Sequence, residues 1–347
     1  MNLAKLKSLL RAAGGVAALA GVLTAATASA DEKLPVKFIL NWKYQSVQSG
    51  FFVAEDKGYF ADEGIDITID QGNGSSAAIK NVASGSYDAG FGDINALIRI
   101  AAVTPADAPI GVYMIYNQPP FVIVTKNGSG INGPADLMGK TLGAPASDAT
   151  YKLFPAFAQK AGIDAGKVNW SHMKGNLREQ MLMRGEVDAV SGYNTTIWFS
   201  AKGMGVDPAK DLKFISFADH GMDIYSNSVV VSQKLYKEHP DKVAGLVRAI
   251  NKGFMDVLAD PELAIKSLKK RAPLAKDDLE RDRFKTVFDL LVFSDEMKKL
   301  GLGAIDPTRM ERSIGIVSEA YKLPATPALS QVFDTKFLPP AETRLVN

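Results

Sequence analysis

The chain of 347 residues has no cysteine and only three histidines. Without thiols it forms no disulfide, no thiolate metal site and no cysteine nucleophile. His172, His220 and His239 are scattered, with no pair at metal-ligand spacing, so no metal and no cofactor is expected. Neither sign of charge dominates: 40 Lys and Arg stand against 38 Asp and Glu. That balance offers no handle for nucleic acid or an anionic membrane. The sequence contains no G-x-S-x-G and no H-E-x-x-H, so no hydrolase motif is present. After the first thirty residues no apolar run is long enough to span a bilayer.

The first thirty residues read as a cleavable export signal. Lys5, Lys7 and Arg11 form a positive start, residues 12 to 27 are small and apolar, and Ala28-Ser29-Ala30 fits a cleavage site. Cleavage between Ala30 and Asp31 leaves 317 residues, enough for two domains. The expected location is the periplasm.

One feature is used twice. Gly85-Ser86-Tyr87-Asp88-Ala89-Gly90-Phe91-Gly92 recurs as Gly185-Glu186-Val187-Asp188-Ala189-Val190-Ser191-Gly192. Each string follows a helical stretch, runs into a short strand and leads to another helix. Two lobes of similar build are expected, with a small-molecule cleft between them. Strands are expected at 36–40, 65–69, 87–91, 110–116 and 121–126. A second set is expected at 141–144, 168–173, 187–191 and 212–217, with a further strand at 227–232. Helices between them imply mostly parallel sheets. From Gln233 onward the pattern is helical, over 241–258, 261–270, 277–293 and 307–321. This tail is expected to wrap back on the first lobe. The organisation is then residues 1–30 signal peptide, 31–122 with 226–347 as lobe 1, and 123–225 as lobe 2. Two chain crossings would permit hinge closure.

Ligand contacts are expected where strands end and helices begin. In lobe 1 these are Asn41, Trp42, Tyr44, then Gly74, Ser75 and Ser76, then Asp93 and Asn95. Trp42 offers a stacking face; Ser75 and Ser76 are placed to cap the helix over 77–83. In lobe 2 they are Ser147, Asp148 and Thr150, with Tyr193 and Asn194 mirroring Asp93 to Asn95. Arg178 reads as part of a solvated face.

Leu40-Asn41-Trp42, Phe51-Phe52-Val53-Ala54, Lys57-Gly58-Tyr59-Phe60 and Glu63-Gly64-Ile65-Asp66 form an ordered signature. It resembles the solute-binding proteins of ABC importers for nitrate, sulfonates, taurine and thiamine-precursor pyrimidines. Ala83-Ser84-Gly85, His239-Pro240-Asp241 and Leu258-Ala259-Asp260-Pro261 continue the likeness along the chain. The resemblance implies a type II periplasmic-binding-protein fold: two mixed-sheet α/β lobes, two hinge crossings and a helical C-terminal tail. It implies a monomer that hands a small molecule to an ABC permease and its ATPase. It adds Gln48, where the family often has histidine, and Asp223 and Tyr225 as ligand contacts. The aromatic residues favour a planar heteroaromatic or aromatic ligand; a small anion such as an alkyl sulfonate, taurine or nitrate is the alternative. A sensory adaptor on a membrane receptor is another. The same superfamily holds a pyridoxal-phosphate-dependent thiamine-pyrimidine synthase. Its cofactor lysine aligns with Gly92, its histidine with Ala96 and its cysteine-rich run with Gly221 to Ser226, so the chain is expected not to be an enzyme.

Overall fold

The computed structural model describes residues 32–346. The expected signal sequence, with its cleavage point at Ala30/Asp31, lies outside the described residues. Ten strands form two five-stranded mixed sheets, flanked by helices. The first sheet has the order β2-β1-β3-β10-β4, from β1 (Leu34–Ile39), β2 (Ile65–Asp70), β3 (Ala89–Asp93), β4 (Ile110–Met114) and β10 (Asn227–Val231). The second has the order β7-β6-β8-β5-β9, from β5 (Phe121–Lys126), β6 (Thr141–Ala144), β7 (Asn169–His172), β8 (Ala189–Tyr193) and β9 (Leu212–Ser216). In each sheet four strands run one way and one runs antiparallel between two of them: β10 between β3 and β4, and β5 between β8 and β9. The two sheets therefore share one plan. β3 and β8, nearly all buried, lie centrally in them, as both-face burial requires.

The repeated string builds the same corner twice. Gly85 (φ 74°) and Gly185 (φ 73°) each stop a helix in the left-handed conformation. Three residues on, a carboxylate ties the next strand to its neighbour. Asp88 Oδ2 accepts from Lys37 N (2.9 Å), and Asp188 Oδ2 accepts from Thr141 N (2.8 Å). The backbones reciprocate: Asp88 N donates to Lys37 O and Asp188 N to Thr141 O. Each carboxylate thus satisfies a strand-edge donor.

The chain passes between the sheets twice, once between β4 and β5 and once between β9 and β10. The passes are hydrogen-bonded to each other: Ser226 N donates to Tyr116 O (3.0 Å) and Tyr116 N to Asn227 O (2.9 Å).

The helical tail departs from expectation in two ways. The single helix expected over 277–293 is an α-helix Asp277–Val287 followed by a π-turn Phe288–Val292. The wider turn presents the Leu291 and Val292 carbonyls to Gln118 N (3.2 Å) and Asn117 Nδ2 (3.2 Å) on the first crossing. The tail also touches both sheets' helices, not the first alone. Asp282 accepts from Lys202 Nζ (2.5 Å), and Arg283 lies over the Phe199 ring (5.0 Å). Lys160 pairs with Glu319 at 3.4 Å. Among the described residues no helix is long and apolar enough to cross a membrane.

Candidate functional site

The carboxyl ends of β1, β2, β6 and β8 lead into a small hollow. It is lined by Asn41, Trp42, Gly74, Ser75, Asp148, Arg178, Tyr193 and Thr196 and its volume is about 20 Å³, room for a water as it stands. The loop after β2 is zipped onto the end of β1: Gly72 N donates to Trp42 O and Gly74 N to Asn41 O, both at 2.9 Å. This brings Ser75 beside Asn41. Gly74, not a serine, occupies the N-cap of the helix Ser75–Ala83; the two serines are its first residues, and neither caps it. Ser76 does not line this hollow; its hydroxyl is buried without a partner, and the residue borders another hollow on the flank.

The second-sheet residues close the hollow from the opposite side. Asp148 caps the helix Ala149–Lys160, accepting from Tyr151 N (2.8 Å) and Ser191 Oγ (3.1 Å). Burial raises its pKa above the ordinary carboxylate range, with Arg178 opposing the shift. Tyr193 ends β8 at the position that Asp93 holds at the end of β3: each stands at the N-cap of the following helix. The Tyr193 hydroxyl donates to Asn227 Oδ1 (2.6 Å) and lies 2.9 Å from Ser75 Oγ.

The halves touch across the hollow. Ser147 Oγ donates to Asn73 O (2.6 Å). A Cβ on Gly74 would stand 2.5 Å from Ser147 O, and one on Gly175 would stand 2.1 Å from Cη2 of Trp42. These approaches need glycine, and they describe a closed cleft in which Trp42 forms the lid.

Asp93 and Asn95 lie just behind the lining. Asp93 is 1% exposed and accepts from Asn95 Nδ2 (2.7 Å). Burial pushes its pKa up to about 7. Asn95 also donates to Tyr225 O (2.7 Å) and keeps a buried carbonyl oxygen unpaired. Gln48 Nε2 donates to Asn41 Oδ1 (3.0 Å), so Gln48 orients Asn41 from behind. Thr150 is buried in the first turn after Asp148 with its hydroxyl unpartnered.

Four expected contacts stand elsewhere. Tyr44 turns its hydroxyl to Ile69 O (3.0 Å) and packs edge-on against Phe52. Tyr225 is buried among tail residues: its hydroxyl bonds Glu296, Asp306 N donates to it (2.8 Å), and Arg309 covers its ring. Asp223 is exposed and pairs with Arg309 (2.8 Å) and Arg312 (3.4 Å). Asn194 folds back on Thr195 N (2.6 Å) and lines a different hollow with Trp198 and Phe214.

Two lining residues were not expected. Thr196 lies in the first turn after Tyr193. Arg178 is 2% exposed, not solvated. Its guanidinium donates to Glu179 Oε1 twice (2.6 and 3.0 Å) and to Ser191 O (3.1 Å), with Asp148 at 4.0 Å. The available signal was Gly192: its missing side chain leaves the space that the guanidinium fills, since a Cβ there would stand 2.4 Å from an Arg178 nitrogen. Among the described residues no group of His, Asp and Glu is arranged to hold a metal ion.

The chain belongs to the NMT1/THI5-like family, whose model matches residues 45–264. It is 28% identical over 246 residues to a formylaminopyrimidine-binding protein of Halalkalibacterium halodurans, covering 70% of this chain and 72% of that one. It is 25% identical to the riboflavin-binding protein RibY of Chloroflexus aurantiacus (83% and 82% covered). It is also 22% identical to a 4-amino-5-hydroxymethyl-2-methylpyrimidine phosphate synthase of Schizosaccharomyces pombe (83% of each). Among solved structures, the ligand-binding component of an ABC-type import system from Staphylococcus aureus superposes with a TM-score of 0.65 at 12% identity, covering 89% of this chain and 99% of that one. The alkanesulfonate-binding protein SsuA of Xanthomonas axonopodis superposes with a TM-score of 0.62 at 13% identity (88% and 99%). The fold is that of the periplasmic binding proteins, as the sequence signature implied.

Proposed function

We propose that the chain is the solute-binding component of an ABC importer and captures a single-ring heteroaromatic molecule bearing N–H donors. The observation that carries this reading is the charge pattern of the hollow. Asp148 lines it and Asp93 lies behind it, both acids, while the one cation, Arg178, is already held by Glu179. A sulfonate or nitrate would meet two buried acids, and a guanidinium whose Nε and Nη2 already bond Glu179 and whose Nη1 bonds Ser191 O. A ring amine or amide finds acceptors at Asp148 and Asn41, and Trp42 supplies the stacking face. Two bacterial relatives are binding proteins for a pyrimidine and a flavin, which supports a heteroaromatic ligand, and the small hollow favours the single ring.

The mechanism is capture. Residues 31–122 with 226–347 move as one lobe and 123–225 as the other, about the paired crossings at Tyr116 and Ser226. In the open form the direct contacts of Tyr193 with Ser75 and of Ser147 with Asn73 are broken. The ligand then takes their place, and closure is stabilised only when both lobes touch it. The first thirty residues direct a monomer to the periplasm, where the closed form meets the permease and its ATPase. No chemistry is assigned. Gly92 and Ala96 supply neither amine nor imidazole, and residues 221–226 supply no thiol.

A thermal-shift series tests the ligand class. Formylaminopyrimidine should raise the unfolding midpoint; at a hundred times its dissociation constant it adds about 2.7 kcal/mol. Methanesulfonate, taurine and nitrate should not. A larger shift with any of these three overturns the assignment.

A further inference from the structure

A second hollow, lined by neither Asn41 nor Trp42, lies on the flank where three helices and the tail meet. It is open to solvent, has a volume of about 410 Å³ and is lined among others by Ser76, Lys80, Arg99, Lys152 and Tyr321. Three cations face it and no carboxylate does. Among the described residues none of the three makes an ion pair within 4.0 Å, although the chain pairs most of its surface arginines. Arg99 is instead held against the Tyr321 ring, its Cζ 4.3 Å from the ring centroid. Ser76, 4% exposed, stands beside the hollow with its hydroxyl covered and without a hydrogen-bond partner. Burial, then the Lys80 and Arg99 charges, holds the Lys152 ammonium below the usual lysine range. Bringing three like charges together beside an unsatisfied hydroxyl costs stability unless something of opposite charge is supplied.

We infer that this hollow is a seat for a small tetrahedral oxyanion, such as phosphate, a phosphate ester or a sulfonate, held by Lys80, Arg99 and Lys152. Lys80 and Arg99 belong to first-sheet helices, Ser75–Ala83 and Ile94–Val103, whereas Lys152 belongs to the second-sheet helix Ala149–Lys160. An anion there ties the two halves together from outside the cleft, and so favours the closed arrangement whatever the cleft holds.

The inference goes beyond the cleft assignment and is tested without any cleft ligand. Inorganic phosphate is titrated calorimetrically into the full mature chain at low ionic strength. One phosphate should bind per chain, and more weakly as salt is raised. Arg99→Gln and Lys152→Gln should each weaken it at least about fivefold, since a charge-assisted bond is lost. The triple substitution K80Q/R99Q/K152Q should abolish it with the circular dichroism spectrum unchanged. No heat at millimolar phosphate overturns the inference. Binding that survives the triple substitution also overturns it, and its loss in Arg178→Gln would then put the phosphate in the cleft.

Discussion

Burial of Asp93 makes folding depend on pH. Its folded pKa of about 7 lies well above the ordinary carboxylate range, so between about pH 4 and 7 the folded form keeps a proton the unfolded chain has released. Stability from this group is complete below pH 4, falls as pH rises to 7 and is absent above. Asp148, also raised, acts in the same direction. Asp93→Asn should therefore stabilise the unliganded protein at pH 8 by up to about 4 kcal/mol and by almost nothing at pH 4. Urea denaturation at the two pH values checks the difference; equal effects at both would contradict a neutral Asp93. Glu179 gives a second prediction at this scale. Glu179→Gln leaves the Arg178 guanidinium buried with Asp148 4.0 Å away as its remaining acid. It should cost about 3 kcal/mol of stability and raise methanesulfonate affinity, because the cation is released. Unchanged sulfonate binding would show that Arg178 is not what limits anions.

At the scale of elements, the repeated string was legible because its determinants are local. A glycine at a left-handed helix stop, a carboxylate three residues later and a short apolar strand all sit within eight residues. Asp88→Ala and Asp188→Ala should each cost about 1 kcal/mol, measured by denaturation, since each removes a charge-assisted bond from a strand edge. A much larger loss at one than the other would mean that the corners are not equivalent. The strand-end residues Asn41, Trp42, Ser75, Asp148 and Tyr193 were legible for the same reason: β-strand ends and helix starts position them. Tyr44, Tyr225 and Asp223 were not. Their partners, Phe52 and Ile69 for the first and Glu296, Asp306, Arg309 and Arg312 for the others, are fixed by tail and core packing that no local pattern encodes. Arg178 was misread because, although Glu179 and Gly192 stand in the sequence, only the fold shows that the acid pairs with the guanidinium and that the absent side chain leaves room for it.

At the scale of the molecule, two sheets of one plan are joined by paired crossings and bridged by the tail. The tail contacts Lys202–Asp282 and Lys160–Glu319 lie far from the hollow and add to what opening must break. Both pairs are exposed, and such pairs contribute at most about 1 kcal/mol each, so they bias the closed form without locking it. The contact at Gly175 is of another kind, being steric. Gly175→Val should push Trp42 from its closed position, weaken formylaminopyrimidine binding at least about tenfold and leave the unfolding midpoint within about 2 °C. Undiminished binding would mean that Trp42 does not lie over the ligand.

The central claim is that the cleft holds its guest and returns it unaltered. Calorimetric titration of the mature chain with formylaminopyrimidine, followed by mass analysis of the compound recovered after denaturation, tests it directly. The account predicts one site per chain, a binding signal lost in Trp42→Ala, and quantitative recovery of the starting compound. A product of different mass, or saturable binding that Trp42→Ala leaves intact, would contradict it.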